Sequence, residues 1–352
     1  MQLDDRAILT AHDPSGMADL TGGFAAQCRQ AVEIAQKAAL PQWSAKPDYV
    51  VLTGLGGSAA GGDLVQALFT HSGSVPFLVN RDYAMPAFVG QGALVFACSY
   101  SGNTEETIGA YLDARARGAS LIVVSSGGKL TEMAQNDGFP VVTVPGGQPP
   151  RTALGYMTLP VVVACEKLGL IPEQDWDDVF VALDATAETN RFDAPESRNP
   201  AKQLARALHG RMTVLYGLGN WQFAVAQRWR GQLNENSKLM VGTHVFPELC
   251  HNEILGWEGA ASQGVKEWAA VLLEAGDEWE RLRTRVRITT DLIGGAATWH
   301  RAQGRGRTVL AKMLSLAHLG DWLSLYLAAL AERDPGQMIA IDRLKEELAK
   351  IP

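Results

Sequence analysis

Two short clusters of glycine and hydroxyl residues are the most telling chemistry in this chain: Thr53-Gly54-Leu55-Gly56-Gly57-Ser58 and Ser99-Tyr100-Ser101-Gly102-Asn103-Thr104. Each follows a β-branched or apolar run. Gly56 and Gly57 permit a tight turn that exposes backbone N–H groups, and the helix expected after them aims its N-terminal donors at the same space. Ser58 adds a hydroxyl. In the second cluster Ser99, Ser101 and Thr104 lie within one turn-like segment ahead of Glu105 and Glu106, so several hydroxyls converge on one ligand. An uncharged cradle of this kind suits a phosphate monoester and needs neither lysine nor Mg²⁺.

The spacing is not that of a Walker loop, because no Gly-Lys-Ser/Thr follows, and it lacks the third glycine of a dinucleotide fingerprint. Taken singly, each loop also reads as a structural turn whose Ser or Thr caps a helix. Two such loops after parallel strands favour phosphate.

The elements that position these loops are those of an α/β protein. Apolar runs at 49–53, 77–79, 93–97, 121–124 and 141–144 read as strands of a sheet covered on both faces, with helices at 63–69 and 105–117 between them. A helix over 154–168 contains Pro160, and the polar stretch 188–200 reads as an interdomain crossing. A second series starts at 212–216, ends in Gly217-Leu218-Gly219-Asn220, and continues with strands at 238–241 and 268–273. Helices are expected near 22–38, over 310–330 with an interruption at Gly320-Asp321, and over 339–348. Asp321 in those apolar surroundings is a cap or a buried anchor. The division is therefore 1–190 and 200–352, each half with its own sheet.

Composition narrows the partners. A formal charge of −7 offers no electrostatic reason to expect nucleic acid or an anionic membrane, so a bound anion must be held locally. The four cysteines are widely spaced and carry no metal-ligand pattern, which fits free thiols in a reducing cytoplasm. The first residues lack the basic start and apolar core of a signal peptide, and no run reads as a membrane span.

The two loops resemble the sugar-phosphate signature of a sugar isomerase domain. Gly231-Gln232-Leu233-Asn234-Glu235-Asn236-Ser237-Lys238 and Pro247-Glu248-Leu249-Cys250-His251-Asn252-Glu253 resemble segments of the bifunctional phosphoglucose/phosphomannose isomerases, and the likeness runs from about residue 35 to the end. It implies two sugar isomerase domains, each a parallel sheet flanked by helices, with a C-terminal helical segment. It implies Glu235 as the proton-transferring base and His251 as the ring-opening residue, reaching across a homodimer so that active sites are shared. Arg151 matches the family arginine near the reacting carbons. Gly57, Ser58, Ser99, Ser101 and Thr104 match its phosphate contacts. One departure concerns the mannose activity: Leu323 stands about where the family has a threonine that aids it, and Ser324 is the neighbour that could replace it at the sugar end.

The chemistry implied is aldose-ketose isomerisation of glucose 6-phosphate and fructose 6-phosphate, with mannose 6-phosphate as another aldose. One carboxylate moves a proton between C2 and C1 through a cis-enediol, which requires both carbons within its reach. An arginine stabilises the enediolate oxygen, and a histidine exchanges a proton with the ring oxygen. No step calls for a metal or a redox cofactor. Read in isolation, Glu235 is a helix-surface residue and His251 a local hydrogen-bonding group; His244 is the rival acid/base. Glu248 and Glu253 read as capping or orienting residues, and Trp221, Trp229 and Trp257 as packing or interface residues. A sugar-phosphate sensor and an isomerase of another phosphosugar are the competing readings.

Overall fold

Nearly continuous apolar runs cannot leave a face in water, and here they become two parallel sheets with helices on both sides. The computed structural model describes residues 2–40, 46–348 and 350. Strands β1 (Tyr49–Thr53), β2 (Phe77–Asn80), β3 (Ala93–Ser99), β4 (Ser120–Ser125) and β5 (Val141–Thr143) form one sheet in the order β2-β1-β3-β4-β5. The other holds β6 (Met212–Gly217), β7 (Val241–Val245), β8 (Trp268–Glu274) and β9 (Thr298–Gln303) in the order β7-β6-β8-β9. Within each sheet, every pairing among the described strands is parallel.

The winding reverses beside the first strand of each sheet, at β1/β3 and at β6/β8. Such reversals open a crevice at the carboxyl ends of the strands, where ligands of open α/β sheets bind. In the first sheet, Thr53 pairs with Ala97, so both hydroxyl loops leave adjacent strands at this crevice.

Several expectations shift by a few residues, each for a local reason. The expected strand at 238–241 is instead β7, starting at Val241, because Lys238 closes the preceding helix in the left-handed conformation, φ 57°. The helical lead-in is split into Met17–Gly22 and Phe24–Lys37. The polar crossing is shorter than 188–200, since Trp176–Asn190 and Pro200–Leu208 are both helices. Strand β9 was not legible as one.

The largest departure concerns the tail. Gly320-Asp321 does not interrupt it: Val309–Leu330 is one helix, buried from Leu310 to Ala329. By length and composition it could cross a membrane, contrary to the reading that no run is so apolar, but 94% of its most apolar window is buried inside the fold. Gly320 has a packing cause. A Cβ there would stand 2.2 Å from the Trp229 ring, so glycine lets the helix Asn220–Ser237 approach closely, and Trp229 Nε1 donates to the Leu316 carbonyl at 2.8 Å. This contact holds the helix that carries Glu235.

Candidate active site

The first hydroxyl loop becomes the start of a helix, Gly56–Ser72, entered from Leu55 with no side chain capping its N-terminus. Gly56 takes φ 52°, a conformation glycine adopts without strain. The uncapped first turn supplies donors for an anion. Ser58 is buried beneath it. Gly54 carries its own constraint, since a Cβ would lie 2.8 Å from the Cys98 carbonyl; its absence lets the β1 loop close on β3.

In the second loop Ser99 and Thr104 share a hydrogen bond of 2.9 Å, while Ser99 Oγ also accepts from Gly102 N at 3.1 Å. Ser101 Oγ accepts from Asn103 N at 3.2 Å, and among the described residues its proton has no acceptor. One hydroxyl proton of the Ser99/Thr104 pair is likewise unspent. Gly102 takes φ 69°, and a Cβ there would meet Gly127 O at 1.7 Å, so only glycine lets this loop fold against the β4 loop. Thr104 stands at the N-cap of Glu105–Ala116 without a capping hydrogen bond. Thr104 is thus not consumed as a cap, and Ser101 is exposed while Ser99 is buried behind it.

Arg151 follows β5 in a single turn, Pro150–Thr152, pressed against the first loop. A Cβ on Gly57 would stand 2.7 Å from the Pro150 carbonyl and 3.6 Å from Arg151 Cα. The guanidinium is 4% exposed, and its Nε donates to Asn236 Oδ1 at 2.8 Å. Nη2 donates to the Pro335 carbonyl at 2.7 Å and Nη1 contacts Met338 Sδ at 3.2 Å. Burial pulls the Arg151 pKa down while the Glu235 carboxylate raises it; a guanidinium stays charged regardless.

Glu235 comes from the last turn of Asn220–Ser237, and its Oε2 lies 3.9 Å from Arg151 Nε. Lys238 holds that turn, donating from Nζ to the Glu235 carbonyl at 2.8 Å and to the Asp334 carbonyl at 3.0 Å. Glu235, Gly56 and Gly57 line one cleft of about 550 Å³, with Asp63, Arg81 and Gln227 along its walls. The structure therefore gathers Gly57, Ser58, Arg151 and Glu235 around the carboxyl edge of the first sheet, beside the Ser99/Thr104 loop.

His251 is not among them. It ends the turn Glu248–His251 that follows the carboxyl end of β7, whereas Glu235 precedes the amino end of that strand. Five strand residues place roughly 13 Å between those ends. His251 is exposed and, among the described residues, makes no side-chain hydrogen bond. Its segment is firmly anchored: Glu253 accepts from Tyr216 Oη, which accepts from Trp257 Nε1 at 2.8 Å, and Glu248 accepts from Asn252 at 3.2 Å. His244, the rival, lies on β7 with Nδ1 3.2 Å from Glu253 Oε2. Trp229 and Trp257 are buried packing residues, and Trp221 is half-buried against the main core.

Ser324 is fully buried, and its hydroxyl is engaged on both sides, by the Asp321 carbonyl at 2.6 Å and Asn236 Nδ2 at 2.9 Å. Asn236 stands between Ser324 and Arg151. Leu323 is wholly in the core. Sequence reasoning did not single out Asn236, Arg228 or Lys238. The signal was partial: Asn236 and Lys238 stand inside the quoted segment, and Asp321, a charged residue in an apolar helix, called for a partner. That partner is Arg228, at 3.0 Å.

The bacterial phospho-glucose isomerase C-terminal SIS domain matches residues 197–348, and the SIS domain matches residues 45–137. A bifunctional phosphoglucose/phosphomannose isomerase from Caldicellulosiruptor bescii is 42% identical over 92% of this chain and 96% of its own length. The chain belongs to that family. The Aquifex aeolicus member is 34% identical over 86% of this chain and 90% of its own. Among solved structures, a hypothetical protein from Thermus thermophilus aligns over 99% of this chain and 93% of its own, with a TM-score of 0.74 and 18% identity, a likeness of fold. The family's two sugar isomerase domains are the two parallel sheets described above, and its C-terminal helical segment begins with the buried Val309–Leu330 helix.

Proposed function

We propose that the chain interconverts glucose 6-phosphate and fructose 6-phosphate, with mannose 6-phosphate as a second aldose. The observation that carries this reading is the approach of the Glu235 carboxylate to the Arg151 guanidinium, 3.9 Å, beside a loop that offers uncapped amides and hydroxyls. A phosphate seated on Gly57, Ser58, Ser99, Ser101 and Thr104 leaves the far end of a six-carbon chain to reach Arg151 and Glu235. There Glu235 takes the C2 proton and returns it to C1. Arg151 is placed for the enediolate oxygen. Of its five N–H donors, one on Nη1 has no acceptor among the described residues and another meets only a thioether, a weak acceptor that a sugar oxygen displaces.

His251 serves the same reaction by opening the sugar ring. Because it projects from the opposite end of the second sheet, the active unit is a homodimer in which each His251 completes the partner's site. Ser324 acts at the sugar end through Asn236, and the protein works in the cytoplasm.

The test is conversion of fructose 6-phosphate by purified protein, with both aldose products quantified over time. Formation of both supports the full reading, and glucose 6-phosphate alone removes the mannose half. Glu235→Gln is expected to bind phosphosugar while kcat falls by roughly 10²–10⁴. Undiminished turnover in that variant would refute the proton shuttle, and ligand binding without turnover in the wild type would favour a sensor.

A further inference from the structure

The turn Asp321 to Ser324 of the buried helix holds Arg151 by two separate arms. In the first, the Asp321 carboxylate accepts from Arg228 Nη2 at 3.0 Å and Gln232 Nε2 at 2.8 Å, and Arg228 Nη2 also donates to the Arg151 carbonyl at 2.7 Å. This arm fixes the backbone. In the second, Ser324 Oγ donates to the Asp321 carbonyl at 2.6 Å, Asn236 Nδ2 donates to Ser324 Oγ at 2.9 Å, and Arg151 Nε donates to Asn236 Oδ1 at 2.8 Å. This arm fixes the guanidinium.

The second arm has a direction imposed by chemistry. Its ends are a carbonyl, which only accepts, and a guanidinium N–H, which only donates. Ser324 has one proton and gives it to the carbonyl, so toward Asn236 it can only accept. Asn236 must then present its NH₂ to Ser324 and its oxygen to Arg151. The reverse amide orientation would set donor against donor at Arg151 and acceptor against a spent hydroxyl at Ser324. Asn236 and Ser324 are each no more than 1% exposed, so water offers neither an alternative partner.

We infer that Ser324 is a positioning residue, which orients the amide of Asn236 and through it aims the Arg151 guanidinium at the reacting carbons. The inference rests on the proposed role of Arg151. It assigns Ser324 an influence on the sugar end without contact, because a hydroxyl already engaged on both sides has nothing left to offer the substrate.

The relay is tested by asking whether the effect of Ser324 depends on Asn236 being an amide. Ser324→Ala leaves the Asn236 NH₂ without an acceptor and is expected to lower kcat about tenfold with KM little changed, since Arg151 acts on the enediolate. A carboxylate has no wrong face, so Ser324→Ala added to Asn236→Asp should change kcat less than about twofold. An equal loss in both backgrounds, or no loss in Ser324→Ala, overturns the relay and leaves a packing role. The Nε–H resonance of Arg151 in arginine-labelled protein, identified by its loss in Arg151→Lys, provides a reading independent of turnover. It should broaden or shift in Ser324→Ala relative to the parent, but stay where Asn236→Asp alone puts it when Ser324→Ala is added to that variant. If the resonance behaves so while Arg151→Met keeps full kcat, the relay stands and the catalytic reading of Arg151 falls.

Discussion

Gly57 packs against the Pro150 and Arg151 backbone, where the phosphate end and the reacting end of the proposed site touch, which makes Gly57→Ala a measurement of their separation. The added Cβ would stand 2.7 Å from the Pro150 carbonyl, about 0.7 Å inside ordinary van der Waals contact at 3.4 Å. The obstacle is backbone, so no side-chain rotation relieves it. Gly57 lies in the first turn of the helix Gly56–Ser72 and, unlike Gly56, is not at positive φ. Alanine is therefore compatible with its backbone, and helix propensity alone would favour it by about 1 kcal/mol. Relieving the contact costs about 1–3 kcal/mol. The two nearly offset, and the variant should fold with a Tm within a few degrees of the parent.

Activity should respond far more. A displacement near 1 Å at a reacting centre costs on the order of 10²-fold, so a shift of this size should lower kcat/KM by roughly 10–10²-fold, equivalent to about 1.4–2.7 kcal/mol. The division between parameters says which side yields. Movement of the Pro150–Thr152 turn displaces Arg151 and lowers kcat, whereas movement of the helix start loosens the phosphate and raises KM. The assay is initial-rate conversion of fructose 6-phosphate beside thermal unfolding of both proteins. An unchanged kcat/KM in a folded variant would refute the claim that this contact sets the distance between phosphate and Arg151.

Two further predictions address the proposed dimer and the core. Mixing inactive Glu235→Gln and His251→Ala chains at equal ratio, with subunit exchange, should restore about a quarter of wild-type activity, because half the dimers are mixed and each mixed dimer rebuilds one intact site; no recovery would place His251 in its own chain's site. His318, wholly buried with Nε2 2.9 Å from the Thr21 carbonyl, has its pKa pushed down by burial to about 4. The unfolded chain then binds a proton that the folded chain refuses, so stability is complete above about pH 6.5 and declines by up to about 3 kcal/mol as pH falls toward 4. Urea unfolding at pH 7.5 and pH 5 should show a smaller decline in His318→Gln than in the parent; equal declines would acquit the imidazole.

The strands of the first sheet and the two hydroxyl loops were legible because their signals are local: apolar runs end in glycine, and the hydroxyls lie within six residues of each other in either loop. What was illegible depended on partners far along the chain. β9, Thr298–Gln303, carries His, Arg and Gln on an edge strand, so it has no apolar run to announce it. Gly320 read as a break because a glycine in a helix ordinarily weakens it, and only the Trp229 ring, more than ninety residues earlier, explains why it is there. Glu235 and Arg151 were named through family likeness; what no spacing could supply is that Asn236 and Ser324 stand behind them.

The distribution of charge across the site follows from what each end must do. The two hydroxyl loops carry no Lys or Arg between Thr53 and Ser58 or between Ser99 and Thr104, so in the proposed site the ester is held by dipoles whose strength hardly changes as the reaction proceeds. Such binding is uniform and lowers KM without lowering the barrier. In the proposed site the Arg151 guanidinium stands at the end where charge develops, and it is 4% exposed, where a fixed charge is worth more than it would be in water. Burying that charge is costly unless its donors are satisfied and its position is held. Asn236, the Pro335 and Gly336 carbonyls and the Glu235 carboxylate meet this cost. The same groups that make Arg151 tolerable inside the protein therefore also hold its direction, and on the proposed role of Arg151 this is how a serine buried in a helix would set the rate without touching the substrate.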